Sequence, residues 1–140
     1  MRELTRAEID ELLHEQVVGR IGCHADGVTY VVPVIYAYDG ECVHVASIEG
    51  RKVRMMRENP NVCFEVDEYA APGQWRSAIA QGAYEEAEGD EQAVSLALLA
   101  ERFARGGESR RTPDRPDTQA RQTVCFRIHI REATGRAVSR

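Results

Sequence analysis

The chain has 140 residues, 43% of them hydrophobic and 29% charged, the composition of one ordinary globular domain spanning 1–140. A formal net charge of −5 argues against a general nucleic-acid binder, whose footprint is a basic surface. No apolar run approaches the roughly 20 residues of a membrane span, and the polar, acidic start MRELTRAEIDELLHEQ is not a secretory signal, so the expected location is the cytoplasm, with no membrane partner.

Thr5-x-x-Glu8 reads as a capping box, and Ile9, Leu12 and Leu13 follow at helical spacing. They predict a helix from about Thr5 to Glu15, lying across one end of a barrel. Val17 to Cys23 is a strand in which Gly19 allows a bend or a close backbone approach. Asp26-Gly27 turns the chain into a second strand, Val28 to Tyr38. Val32, Val34 and Tyr36 point one way and Val31 and Ile35 the other, so this strand is apolar on both faces. An antiparallel strand in a small domain normally shows one polar face. The outer face is therefore expected to meet a second subunit or a flat cofactor. Pro33 cannot donate to a ladder, which places it at a sheet edge or an opening.

Asp39-Gly40 leads into a strand from Cys42 to Ile48, and a short helix from Arg51 to Arg57 stops at Asn59-Pro60. Val62, Phe64 and Val66 alternate with Cys63, Glu65 and Asp67 in a half-exposed strand. After a loop at Ala71-Pro72-Gly73 comes a strand from Trp75 to Glu88, with Gly82 as a bulge or close approach. Asp90 is expected to cap a helix to about Arg105 whose apolar stripe is Ala93, Leu96, Ala97, Ala100 and Phe103. Gly106 to Ala120, with Gly106, Gly107, Pro113 and Pro116, is expected to be a poorly ordered loop. Val124, Phe126, Ile128 and Ile130 alternate with polar residues in the last strand. Six short antiparallel strands with a few helices describe a mainly β protein, a small closed or partly closed barrel.

The positive charge is local: Arg51, Lys52, Arg54 and Arg57, then Arg110, Arg111 and Arg115. Cations at a helix start oppose the macrodipole. A bound anion removes the conflict by accepting from both the free backbone N–H groups and the side chains. Ser47, Gly50, Arg51 and Lys52 thus form a phosphate-sized anion site, with Arg54 and Arg57 further along the helix. Cys23, Cys42, Cys63 and Cys125 are scattered through apolar runs, which reads as buried thiols in a reducing compartment; no clustered Cys or His pairs suggest a metal site. His24 is expected to be solvated, His44 and His129 to be surface or hydrogen-bonded histidines. No Ser–His–Asp set, close carboxylate pair or nucleophile motif stands out, and no general acid or base is evident.

The succession PVIYAYDGE, VASIEGRK, RENPNVCFEV and WRSAIAQGAYEEAE, with the terminal TVCFRIHIREATGR, resembles the pyridoxamine 5′-phosphate oxidase-like family of FMN-binding split barrels. More narrowly it is similar to the small branch holding nitroimidazole-resistance-type flavoproteins. The resemblance implies a six-stranded antiparallel split β-barrel with flanking helices, and a homodimer with FMN at the interface. It implies that Pro33, Val34, Ile35 and Tyr36 run beside the isoalloxazine ring, and that Ser47, Arg51 and Lys52 hold the phosphate. Trp75, Arg76 and Ser77 would come from the other subunit. Read from the residues alone, Tyr36 and Tyr38 suit core or interface packing better than flavin contact, and Trp75 suits a dimer anchor, a flavin neighbour or simple packing. Many members of the branch carry a histidine where this chain has Val45; His44 points to the opposite face of that strand. The expected function is an FMN-dependent oxidoreductase acting on a small aromatic or nitro-bearing compound with a reduced nicotinamide as donor. The alternatives are a non-catalytic flavin- or haem-binding protein, with His44 or His129 as a haem ligand, or a deazaflavin-dependent reductase.

Overall fold

In the computed structural model, which describes residues 1–105 and 122–138, eleven elements follow in order. They are β1 (Arg2–Glu3), α1 (Arg6–Glu15), β2 (Val18–Ala25), β3 (Val28–Ile35), β4 (Ala37–Tyr38), β5 (Cys42–Ile48), α2 (Arg51–Glu58), β6 (Asn61–Ala71), β7 (Gln74–Glu86), α3 (Asp90–Arg105) and β8 (Thr123–Val138). The expected loop at Gly106 to Ala120, with its arginines, lies outside the described residues. Among those residues no helix is long and apolar enough to cross a membrane.

The strands form one antiparallel sheet in the order β3-β2-β6-β7-β8-β5-β4, with β1 added to β8. Six strands were expected and eight are present among the described residues. The first extra strand is the two-residue β1. The second arises because the apolar run from Val28 to Tyr38 breaks at Tyr36: β3 pairs with β2, whereas Ala37 and Tyr38 cross over to pair with His44 and Val43 of β5. The two ends of the sheet are therefore consecutive in the chain, and the sheet curls into a barrel. Beyond the crossing, Val45 to Ile48 of β5 pair only with β8, and the outer side of β3 has no strand beside it. The barrel is split there. Pro33 sits on β3, an edge strand, where its missing N–H costs no ladder bond.

Ile21, Val34, Tyr36, Val43, Val45, Phe64, Val66, Phe126 and Ile128 fill the interior. The capping box closes as expected: the Glu8 amide donates to Thr5 Oγ1 at 3.2 Å, and the Thr5 amide to Glu8 Oε1 at 2.8 Å. α1 then lays Ile9, Leu12 and Leu13 over one end of the barrel. The Tyr36 hydroxyl donates to the Leu13 carbonyl at 2.6 Å, and its ring meets Phe64 edge-on at 4.9 Å. Two glycines are explained by close approach. A Cβ on Gly19 would lie 2.2 Å from Phe64 Cζ, and one on Gly82 would lie 2.5 Å from the His129 carbonyl oxygen, at the bulge where β7 shifts register against β8.

α3 differs from expectation. Asp90 stands in its first turn rather than at its cap. The stripe Ala93, Leu96, Ala97, Ala100 and Phe103 is exposed; Ser95 and Leu99 are the buried positions, flanked by half-buried Gln92, Leu98 and Arg102. The apolar period is present, but the face it marks is left out of the core. All four cysteines are free, three of them buried and Cys63 half-buried.

Candidate functional site

The barrel split opens into a cleft of about 530 Å³, within the range of small-molecule sites. Pro33, Val34 and Ile35 form one wall and Val45, Ala46 and Ser47 the other; Leu96, Leu99, Ala100 and Phe103 of α3 cover one side. Lys52 enters at the start of α2. It is half-buried, and burial pushes its ammonium pKa down. Among the described residues it has no ion-pair partner. Gly50, the N-cap of α2, supplies no side-chain hydrogen bond, and the first turn holds no acidic residue. A half-buried cation, uncapped backbone N–H groups and Ser47 thus stand at one end of an apolar cleft. The Ser47 hydroxyl currently donates to the Ile48 carbonyl at 3.1 Å.

Of the residues expected at a cofactor site, Pro33, Val34, Ile35, Ser47 and Lys52 meet in this cleft. Arg51 does not line it: its guanidinium lies over the Tyr30 ring, 5.0 Å from the centroid, and the residue is exposed. Tyr36 is turned into the barrel and fully buried. Trp75 and Ser77 line a separate groove of about 310 Å³ with Glu65, Asp67, Glu68 and Tyr69. Arg76 is held by Glu15 (2.6 Å), Glu68 (2.8 Å) and Glu11 (3.5 Å). A single chain does not bring these three residues to the cleft.

Two relays escaped the sequence reading, which had found no Ser–His–Asp set. His44 Nε2 lies 2.7 Å from Asp39 Oδ2 and Nδ1 lies 2.7 Å from Ser95 Oγ, with His44 2% and Ser95 0% exposed. Partial burial raises the Asp39 carboxyl, but hydrogen bonds from His44 and from the Cys42 and Glu41 amides outweigh it and hold its pKa below the usual range. With Asp39 ionised, Nε2–H donates to it, and Nδ1 is left to the Ser95 hydroxyl. Ser95 is sealed inside the protein, so this set fastens α3 to the sheet and offers no nucleophile. The second relay runs from Cys42 Sγ to His129 Nδ1 (3.2 Å) and from His129 Nε2 to Glu85 Oε1 (2.7 Å). Burial, reinforced by Asp39, pushes the Cys42 thiol up. Asp39 and His44 flank a recognisable hairpin turn, so their pairing could have been found; Ser95 comes 51 residues later with no local signal. Glu65 and Asp67 both bind Arg20, at 3.2 and 3.0 Å, and form a close carboxylate pair that the sequence reading also missed. Among the described residues no group of three or more His, Cys, Asp or Glu is arranged to hold a metal ion.

A split antiparallel barrel with a cationic helix start at its opening defines a class of small β-barrel proteins. The model of the pyridoxamine 5′-phosphate oxidase family matches residues 5–137, and the chain belongs to this family. An uncharacterized protein of Rhizobium meliloti (strain 1021) is 33% identical over 86 residues, 61% of this chain and 57% of that one, so the match spans little more than half of that relative's length. The crystal structure of a FAD-binding protein from Mesorhizobium loti is similar at a TM-score of 0.78 with 32% identity, covering 99% of this chain and 98% of that one. A FAD and heme binding protein from Mycobacterium smegmatis shares the fold at a TM-score of 0.77 with 17% identity, covering 99% of this chain and 74% of the other.

Proposed function

We propose that the cleft binds a flavin nucleotide and that the protein is a flavin-dependent oxidoreductase acting on a small aromatic or nitro-bearing compound. The observation that carries this reading is Lys52 with the uncapped start of α2, an anion site without an anion partner among the described residues, at the mouth of an apolar slot. The residues fit the group. Lys52 and Ser47 would hold the phosphate, and Pro33, Val34 and Ile35 would flank the ring. A bound flavin supplies hydride and electron transfer itself. The chain binds and orients it, and α3 excludes water from one side. FMN follows from the family resemblance, whereas the Mesorhizobium relative is named as FAD-binding; both nucleotides carry a phosphate on the ribityl chain, so Lys52 serves either. The two histidines weighed as haem ligands, His44 and His129, each engage both ring nitrogens in the relays, which favours flavin over haem.

The outer sheet face exposes Val31 (63%), Ile35 (49%) and Ile79 (46%), which supports a homodimer covering that face and offering Trp75, Arg76 and Ser77 to the neighbouring cleft. The deciding experiment is the visible spectrum of the purified protein, with chromatography of the released cofactor to separate FMN, FAD and deazaflavin. Oxidation of a reduced nicotinamide by the loaded protein separates an enzyme from a flavin carrier. A protein that neither retains nor takes up any flavin contradicts the reading.

A further inference from the structure

α3 is mounted against the usual logic of an amphipathic helix, which buries its apolar stripe on its own sheet. Its inward positions are Gln92, Ser95, Leu98, Leu99 and Arg102: Ser95 and Leu99 are buried and the other three half-buried, so polar side chains make up most of the inner face. Polar contacts hold it. Ser95 meets His44 at 2.7 Å, Arg102 Nη2 donates to the Glu15 and Gln16 carbonyls at 2.7 and 3.2 Å, and Gln92 reaches Cys125 Sγ at 3.7 Å. The apolar stripe is left out of the core: Leu96 is 43% and Phe103 47% exposed, and both line the cleft with Ala100. Exposed apolar side chains scattered singly need no explanation, but a stripe turned into a cavity opposite Pro33 and Ile35 does.

We infer that α3 is a ligand wall, on which Leu96, Ala100 and Phe103 pack against the face of a planar aromatic group, and that the Asp39–His44–Ser95 relay positions this wall. The inference rests on the flavin reading and deepens it. It assigns ring contacts to this chain's own helix and limits the occupant to a flat apolar ring with its anionic group at the Lys52 end. A strongly polar ligand would lose hydration against Leu96 and Phe103 and gain no hydrogen bond from them. His44 and Ser95 cannot touch the ligand, because both are sealed. Ser95 immediately precedes Leu96 and lies one turn before Leu99, so its contact with His44 sets how far this part of the helix stands from β5. Without the Ser95 hydroxyl, a buried Nδ1 loses its partner, and the helix must shift or admit water.

The test titrates the full chain with riboflavin, FMN, FAD and 8-anilinonaphthalene-1-sulfonate, a flat aromatic anion. Phe103→Ala weakens riboflavin and both nucleotides alike, by about five- to tenfold for the ring area no longer covered. Ser95→Ala gives a loss of the same kind without altering a ring-contacting side chain, and raises hydrogen exchange across residues 93–104 while β7 and β8 stay protected. In a His44→Asn background Ser95→Ala adds nothing, because the relay is already cut. Unchanged riboflavin and dye binding in Phe103→Ala overturns the wall. Fully additive losses from His44→Asn and Ser95→Ala, or protection lost evenly through the barrel, overturn the positioning role. If the parent protein binds none of the three flavins, the flavin reading fails separately. The wall then stands or falls on whether Phe103→Ala abolishes dye binding.

Discussion

In the proposed anion site Lys52 carries the charge that enters the cleft. A charge-assisted hydrogen bond to a desolvated phosphate is worth about 1.5–3 kcal/mol, so Lys52→Ala should weaken FMN or FAD roughly 10- to 150-fold. Riboflavin lacks the phosphate and should be nearly unaffected; equal losses for riboflavin and FMN in a binding titration would remove Lys52 from the phosphate. Arg51→Ala should cost less, since its guanidinium rests on Tyr30 outside the cleft. Arg57 is tied to Glu86 at 2.7 Å and Glu49 at 3.1 Å, so its loss should lower stability rather than affinity. Glu65 makes a different prediction. Burial, with hydrogen bonding and repulsion from Asp67, pushes its carboxyl up to about 7 despite Arg20. The folded state then holds a proton that the unfolded chain releases near the ordinary glutamate range of about 4.3. Its contribution is intact below that range and is lost as pH rises toward about 7. Glu65→Gln should therefore raise the urea midpoint relative to the parent at pH 8 and change it little at pH 4. A larger gain at pH 4 than at pH 8 would contradict this assignment. Ser47 and Lys52 were legible in the sequence because turn, hydroxyl and cation lie within six residues. Ser95 was not, because its partner is on a distant strand and only packing brings them together.

At the scale of elements, local chemistry placed most boundaries. The Cys42–Ile48 strand is found as read, α1 starts at its capping box, and the Gly82 bulge is present. The misreadings share one cause: tertiary context. Periodicity reports which face of a helix is apolar, not what that face meets: the α3 stripe was visible in the sequence, but not that Leu96, Ala100 and Phe103 of it line the cleft. The run from Val28 to Tyr38 gives no local signal of its break, because Tyr36 leaves β2 only to let Ala37 and Tyr38 reach β5. Tyr36 itself belongs to the junction of α1 with the barrel. Tyr36→Phe strands the Leu13 carbonyl and should destabilise the protein by about 1–2 kcal/mol in urea unfolding while leaving flavin affinity unchanged. A loss of flavin affinity with unchanged stability would return Tyr36 to the binding site.

At the scale of the whole molecule, the barrel class was legible because alternating strands separated by Asp-Gly turns admit few other architectures. The proposed second copy is not written in one chain's periodicity; the proposal draws on the exposed apolar side chains of β3 and β7. A stable interface buries about 800 Å² per partner, and the proposed dimer would place the outer face of β3, β2, β6 and β7 there. Sedimentation should show a dimer at micromolar concentration, and Val31→Glu should shift it toward monomer. A stable monomer with flavin bound would rule out the two-chain site.

β8 lies between β7 and β5 in the sheet although it follows both in the chain. During synthesis, every strand from β1 to β7 leaves the ribosome before the one that joins the two halves. At about 5–20 residues per second, the interval between the end of β7 and the completion of β8 at Val138 lasts seconds. Throughout it, β7 and β5 each present an unpaired edge, the kind of template on which chains aggregate. The barrel thus cannot close cotranslationally in stages. A nascent chain stalled before Thr123 should be protease-sensitive and chaperone-bound, whereas one stalled with β8 fully outside the exit tunnel should resist digestion.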